Sequence, residues 1–488
     1  MHKHKPVVFL FGLYFLTRLF NLTSFPIFND EAIYLHWGQV MVNVPGQAFY
    51  SLFDGKPPLV LWFLGYFQKL PLDHLIAGRT LSIIFGALTL WGVLKVCQLL
   101  KFSTKAQLIA GLFYILNPLT LFFDRLALLD SPVSAIFIWV LYFSLKISQS
   151  PIANYQLLIT FGLVQATGLW IKGTTKIFLF LPFIIPLITL IIEKDKKKAG
   201  REALLFFISL CIAQILFLPL RFQPLFSQFS KREGDFLLPI TQALQPSNWL
   251  PHLHLAFFTF LLFLTPLVLL LTIFGFLKLY RKETKISLIL VLFSLLPLGF
   301  EVLTARYFFS RYFLFTFLPL LILAVVGLEN LKRAKNFILA LSLLIPISIS
   351  TSLLLLPLRT LKTISKNKVL AQDINQYYTG WTSGYGVKEA AEWLKNQSQK
   401  GPLVVLVRAD SGNPEDAIFV YLAKEKNIIL AQATRKPTTE ELDPFEKFPI
   451  YFVSRGEQYL NMRDQLEEKV IFKKPLDSEF VGIYQIKN

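Results

Sequence analysis

Long apolar stretches alternating with short connections fill most of the first 357 residues. IFLFLPFIIPLITLII (177–192) and FFTFLLFLTPLVLLLTIFGFL (257–277) are typical. Runs of about 20 apolar residues match a hydrocarbon layer ~30 Å thick at 1.5 Å rise per residue. The pattern predicts eleven spans, at roughly 6–22, 76–98, 106–123, 132–148, 155–171, 176–192, 202–220, 255–277, 286–303, 312–328 and 337–356. Only a bundle of helices satisfies the backbone of such runs internally, and the period-two alternation of a membrane barrel is absent. PPLVLWFLGYFQKL (57–70) is too short for a span and opens on two prolines, so it reads as an interfacial or re-entrant helix.

Every second connection is basic. Lys3 and Lys5 precede the first span, Lys101 and Lys105 follow the second, and Lys146 ends the fourth. EKDKKKAGRE (193–202), KLYRKETK (278–285) and ENLKRAK (329–335) follow the sixth, eighth and tenth. The positive-inside rule makes that side cytoplasmic. The expectation is a multi-pass protein of the plasma (inner) membrane with a cytoplasmic N-terminus and residues 23–75 as one large external loop. The opening apolar run lacks a small-residue cleavage site and reads as a retained first helix.

From about 358 the hydropathy drops and the period changes. VKEAAEWLKNQ (387–397), PEDAIFVYLAKE (414–425) and EQYLNMRDQLEE (457–468) have helical spacing. PLVVLV (402–407), NIILAQ (427–432), PIYFVS (449–454) and KVIF (469–472) read as strands. Alternating strand and helix predict a small α/β domain, 358–488, with a mainly parallel sheet. With eleven spans before it, this domain lies on the extracytoplasmic side.

Composition agrees. Hydrophobic residues make up 54% of 488, charged residues 16%, and the mean hydropathy is +0.53; soluble domains average about 45–50% and roughly 25%. The net charge of +18 would suit a nucleic-acid partner, but the cations cluster in loops beside apolar runs, which marks orientation and excludes that reading. Cys97 and Cys211 fall within apolar spans, so no disulfide framework is expected.

Candidate chemistry concentrates on the predicted outer face. Asp30 and Glu31 stand in NDEAIYLHW (29–37), where Asn29 can cap a helix and first-turn acids complement its dipole. FFDRLALLDSP (122–132) places Asp124, Arg125 and Asp130 at the mouth of the bundle; an Arg–Asp pair would be their ordinary role. In FDGKPPLVLW (53–62), Lys56 precedes a Pro-Pro helix start, which suits phosphate, though a snorkelling anchor is the more ordinary role of such a lysine. Lys172 ends a span in GLWIKGTTK, and Arg306 and Arg311 open another in ARYFFSRYFLFTFLP. Several cations with two separate acids make the set needed to hold a lipid-linked anion and activate a hydroxyl.

These motifs together resemble a known superfamily. NDEAIYLHWGQ…FDGKPPLVLWF resembles the first external loop of the GT-C glycosyltransferases, in the branch of aminoarabinose transferase and the dolichyl-phosphate-mannose-protein mannosyltransferases. RLALLD resembles that branch's second acidic site, GLWIKG its outer Lys-Gly, and SRYFLFTFLPLLIL its Arg-Tyr…Pro segment. SGYGVKEAAEWL (383–394) resembles the opening of the soluble domain in bacterial members. The likeness covers about residues 6–330 in matching order. It implies a GT-C helical bundle that transfers a sugar from a polyprenyl-phosphate carrier to an extracytoplasmic lipid, glycan or protein acceptor, with inversion. Asp30 would be the base or orienting acid, supported by Glu31, with Asp130 the second site acid. Lys56, Arg125, Lys172 and Arg311 would hold the carrier phosphate. Relatives often carry a glutamate directly before the Lys-Pro-Pro lysine, and this chain has Gly55, so a divalent metal is not expected. His252 and His254 read as interface residues. The competing reading is a transporter or lipid flippase, against which stands the crowding of ionisable residues on one face.

Overall fold

The computed structural model describes residues 5–150, 154–331, 333–366, 370–433, 442–456 and 465–487. In chain order the helices are α1 (Lys5–Leu19), α2 (Asn29–Asn43), α3 (Leu59–Phe67), α4 (His74–Leu99), α5 (Thr104–Leu116), α6 (Pro118–Phe123), α7 (Asp130–Gln149) and α8 (Tyr155–Ile171). Then come α9 (Gly173–Glu193), α10 (Lys196–Arg221), α11 (Ser227–Phe236), α12 (Pro246–Phe263), α13 (Thr265–Lys282), α14 (Thr284–Thr304), α15 (Ser310–Glu329) and α16 (Lys335–Leu355). Beyond them lie α17 (Val387–Ser398) and α18 (Glu415–Leu422). Two compact units result: one of residues 1–21, 46–62 and 79–356, the other of 22–45, 63–78 and 357–488.

The first unit is the helix bundle. All eleven expected spans are helical, but among the described residues only seven helices are long and apolar enough by themselves to cross a membrane: α4, α7, α9, α10, α14, α15 and α16. The others depart for local reasons. The expected span 106–123 is two helices, because Asn117 turns the chain. Its side chain accepts the N–H groups of Leu119 and Thr120 at 2.9 and 3.3 Å, and Pro118 opens the new helix. The expected span 255–277 is likewise not straight: α12 and α13 meet at 100°. Thr265 precedes Pro266, where helical backbone is disfavoured, and adopts φ +65°. α1 has 15 residues and α8 has 17. Within residues 57–70, excluded from the count, nine residues form α3.

Bundle packing is closest where α13 crosses α15. A Cβ on Gly275 would fall 1.9 Å from the Leu323 carbonyl, and one on Gly327 would fall 2.1 Å from that of Leu271. Glycine on both partners permits the approach, as in other membrane helix pairs. Thr272 then donates to the Leu320 carbonyl at 3.2 Å across the crossing. Large apolar side chains such as Phe9, Leu16, Phe207, Ile215 and Phe337 remain exposed, the surface a lipid-embedded bundle presents.

The second unit contains a five-stranded sheet of β1 (Leu403–Arg408), β2 (Ile428–Ala433), β3 (Ile450–Arg455), β4 (Leu466–Lys473) and β5 (Phe480–Ile486), in the order β2-β1-β3-β5-β4. β1 pairs in parallel with β2 and β3, while β5 runs antiparallel to β3 and β4. The sheet is therefore mixed, not mainly parallel, because β4 and β5 return as a hairpin after a short connection. Residues 466–468, expected at the end of a helix, belong to β4; residues 457–464 of that expected helix lie outside the described residues. Val404, Leu406, Ile450, Phe452, Tyr484 and Ile486 form the core of the sheet.

Candidate active site

Asp130 opens α7, where an acid complements the helix dipole. Lys172 follows the last residue of α8 in extended backbone, φ −157° and ψ 142°, so the chain leaves the helix there. Lys172 Nζ lies 3.0 Å from Asp130 Oδ1. The same ammonium sits 5.5 Å from the Tyr312 ring, and the Arg311 guanidinium lies 5.6 Å from that ring and 5.8 Å from Phe309. Asp130, Lys172 and Arg311, three of the sequence candidates, thus gather at one end of the bundle around Tyr312. A fourth charge was not foreseen. Glu301, the only acid in α14, stands one turn from that helix's end, and its field couples to both Lys172 and Asp130. An isolated acid in an apolar run was the available signal.

The turn before Asp130 is held by a buried network. Arg18 and Asp124 are 0% and 1% exposed, with Nη2 and Oδ2 3.4 Å apart. Tyr114 donates to Asp124 Oδ2 at 3.0 Å, Ser131 donates to Oδ1 at 2.7 Å, and Arg18 reaches the Ile115 carbonyl and Thr120 Oγ1 at 2.5 and 3.2 Å. Ser131 follows Asp130 directly, so this network sets where α7 begins. Arg125 turns the other way. Its Nε donates to the Arg18 carbonyl at 3.2 Å, and Nη2 to those of Phe20 and Asn21 at 2.8 and 2.6 Å. These are the orphan carbonyls after α1, and the structure brings Arg125 to them instead of to Lys172.

Lys56 lies in a second cationic turn of the same unit. Gly55 has φ +66°, and its missing side chain leaves room for Arg232, whose Cβ would be 3.0 Å from a Cβ there. Asp54 is shared: Oδ2 pairs with Lys56 and Oδ1 with Arg232 Nη2 at 2.7 Å. Arg232 belongs to α11, a short helix in a connection that sequence reasoning passed over although it carries the charge run KREGD. The next residue, Glu233, pairs with Lys176, four residues after Lys172. Helix α11 therefore touches the Lys56 turn with one residue and the Lys172–Lys176 turn with the next. Its end is tied to α14 by Leu238 N–H to the Thr304 carbonyl and Arg306 N–H to that of Phe236, 2.7 and 2.8 Å. Aromatic rings line this region: Phe226 and Phe229 stack at 5.5 Å, and Trp62 meets Trp170 at 5.9 Å.

The donors at the Lys56 turn do not fit a divalent metal. Gly55 offers none, and both oxygens of Asp54 are taken by cations. His252 Nδ1 lies 3.1 Å from the Val302 carbonyl with its ring stacked on Phe308, and His254 packs on Phe258.

Asp30 and Glu31 belong to the second unit. Glu31 is fully buried and its Oε2 accepts the Phe28 N–H at 2.9 Å, so this acid caps the start of α2. Asp30 is half-buried, with Asn29 Nδ2 at 3.4 Å from Oδ1. The sheet's loops clamp that helix start. Asn29 Oδ1 accepts the Asn413 N–H at 2.9 Å, and Asn413 Nδ2 donates to the carbonyls of Ile27 and Thr382 at 3.0 and 2.9 Å. His36, two turns along α2, lies 2.5 Å from Asp416 and stacks on Phe419 at 4.4 Å. Nearby, burial raises the Glu415 carboxyl to about 7 and lowers the Lys474 ammonium to about 8.

A bundle of apolar helices with acids and cations at the loops of one end, joined to a small mixed sheet, is the architecture of the GT-C membrane proteins. The profile of a family described as dolichyl-phosphate-mannose-protein mannosyltransferase matches residues 55–221, a stretch that includes Lys56, Arg125, Asp130 and Lys172. The chain is similar to ArnT from Cupriavidus metallidurans bound to undecaprenyl phosphate, over 98% of this chain and 97% of that one, with TM-score 0.62 and 14% identity. It is similar to the Archaeoglobus fulgidus oligosaccharyltransferase in complex with Zn and sulfate over 99% and 73%, with TM-score 0.57 and 11% identity. The same organism's AglB, in complex with an inhibitory peptide and a dolichol-phosphate, matches over 98% and 74% at TM-score 0.54 and 12% identity. No curated protein matches. The chain is a multi-pass membrane protein with the GT-C fold.

Proposed function

We propose that this protein is a membrane glycosyltransferase that moves a sugar from a polyprenyl-phosphate carrier to an extracytoplasmic acceptor. The observation that carries the proposal is the pair of charged turns joined by α11: Lys56–Asp54–Arg232 on one side, Lys172–Asp130 with Arg311 on the other. A phosphodiester leaving group needs fixed cations where its charge develops, and Lys56 and Arg232 supply them. Arg311 and Lys172 add to the same field, and Asp130 orients Lys172. Arg125 serves by holding the end of α1. The aromatic wall of Phe226, Phe229, Trp170 and Trp62 suits the apolar chain of the carrier.

In the reaction the acceptor hydroxyl oxygen attacks the anomeric carbon while the bond from that carbon to the phosphate oxygen breaks. Polyprenyl phosphate leaves with the electron pair, the hydroxyl proton passes to a carboxylate base, a role for which the motif resemblance nominates Asp30, and the configuration inverts. Glu31, as capping residue, fixes the helix start on which Asp30 stands. On the charge of its connecting loops, the site would face away from the cytoplasm. Purified protein given a polyprenyl-phosphate sugar and cell-envelope acceptors should release polyprenyl phosphate in step with glycosylated product. Asp30→Asn in well-folded protein should abolish transfer; near-normal turnover would remove Asp30 from this role. Substrate flux across liposomes without sugar transfer would overturn the whole reading.

A further inference from the structure

A cavity of about 890 Å³ lies far from these turns. Its walls are the α4–α5 connection, the last turn of α7, and the starts of α10 and α14, all in the first unit. Leu145 and Ser148 line it near the end of α7, while Asp130 starts that helix. At about 1.5 Å per residue, the 20 residues of α7 separate cavity and site by about 30 Å, one hydrocarbon thickness. α14 repeats the relation, with Lys285 and Ile289 at the cavity near its start and Glu301 one turn from its other end. The cavity therefore opens on the opposite membrane face from the candidate active site.

Five basic and three acidic side chains line it. The acids are largely occupied. Glu193 pairs with Lys198 at 2.7 Å and lies 3.7 Å from Lys285, and Asp195 accepts the Lys198 N–H at 2.9 Å as cap of α10. Beneath them Glu202, fully buried, takes Lys285, Ser148 and Thr189 at 2.8, 2.6 and 2.5 Å. Two lysines outside those pairs, Lys101 and Lys197, are exposed at the rim, and Arg201 shares the wall. Leu100, Leu145 and Ile289 supply an apolar side. A cavity at the end of a membrane bundle lined by both cations and aliphatic side chains matches a phosphate headgroup with the first methylenes of its acyl chains.

We infer that this cavity is a binding site for the phosphodiester headgroup of an anionic membrane lipid. Its structural basis does not depend on glycosyl transfer. The protein would be placed in phosphatidylcholine nanodiscs doped with phosphatidylglycerol, and retained lipid would be counted by native mass spectrometry. The wild type should keep phosphatidylglycerol in preference to phosphatidylcholine. Lys101→Gln/Lys197→Gln should weaken that retention by roughly tenfold or more, from two charges near the surface. Arg281→Gln/Lys282→Gln removes the same charge from exposed positions outside the cavity and should leave retention intact. An equal loss in that control would reduce the effect to diffuse attraction and overturn the site. Displacement of the lipid by millimolar inorganic phosphate would overturn the lipid assignment in favour of a free anion, and no preference in the wild type would overturn both.

Discussion

Lys172 Nζ stands 3.0 Å from Asp130 Oδ1, one side chain closing α8 and the other opening α7. The pair joins two helix ends whose loops would otherwise be independent, and the Tyr312 ring lies near both the Lys172 ammonium and the Arg311 guanidinium. If the pair works as a unit, removing either member should cost nearly as much as removing both. Asp130→Asn and Lys172→Met are each expected to lower sugar transfer by about 10²–10³-fold, the scale of losing one preorganised charge, with the double variant close to the worse single one. Initial rates on a polyprenyl-phosphate sugar check this. Full activity in Lys172→Met would make the pair purely structural.

The buried Arg18–Asp124 pair makes a stability prediction. Breaking a buried pair from one side leaves an uncompensated charge and costs about 3–5 kcal/mol. Arg18→Leu and Asp124→Leu should therefore each lower the thermal midpoint in detergent strongly. Arg18→Leu combined with Asp124→Leu should recover part of the loss, because no lone charge remains. Additive losses in the double variant would contradict this account.

The α13–α15 crossing predicts a packing effect. Gly275→Ala and Gly327→Ala each place a methyl within 2.1 Å of a backbone carbonyl of the partner helix, so the helices must separate. Overpacking of this kind costs about 1–3 kcal/mol or more. Because both changes act on one crossing, their combined effect on the midpoint should fall short of the sum. An unchanged midpoint in either variant would show that the helices do not approach so closely.

Glu415 predicts a pH dependence in the second unit. Its carboxyl is 1% exposed, and burial raises it from 4.5 to about 7. Between those values the folded state holds a proton that the unfolded chain has released, so stability falls as pH rises from about 4.5 to about 7. Glu415→Gln, neutral throughout, should flatten that slope. Thermal unfolding of the sheet unit measured across that range decides it, and an unchanged slope would assign the dependence to another group.

Much of the bundle could be read from hydropathy, because an apolar run long enough to cross lipid has few alternatives to a helix. Breaks were harder. Pro118 and Pro266 were visible, yet neither a split at Asn117 nor a 100° bend at Thr265 follows from proline alone, since Pro219, Pro297 and Pro346 sit inside continuous helices. What separates the cases is whether a cap such as the Asn117 side chain, or a left-handed residue such as Thr265, takes over at the break. The mixed sheet was missed because its last strand, FVGIYQI, lies after a short turn and pairs with segments on both sides of it.

The candidate residues divide the same way. Asp30, Lys56, Asp130, Lys172 and Arg311 stood out because a charged residue beside the bilayer is costly and therefore informative. Their partners did not. Nothing local to FDRLALLD distinguishes Arg125, which holds the end of α1, from Asp130, which meets Lys172. Arg232 and Glu301 are ordinary charges until α11 and α14 bring them to Asp54 and to the Asp130–Lys172 pair.

By itself the sequence determined that this is a helical membrane protein with a small α/β domain, because hydropathy acts residue by residue over short windows. Only the tertiary structure decided which charges are capping groups, which are buried ion pairs and which meet across helix ends. Those outcomes depend on contacts between residues as far apart as Asp54 and Arg232, and short-range pattern holds no record of them.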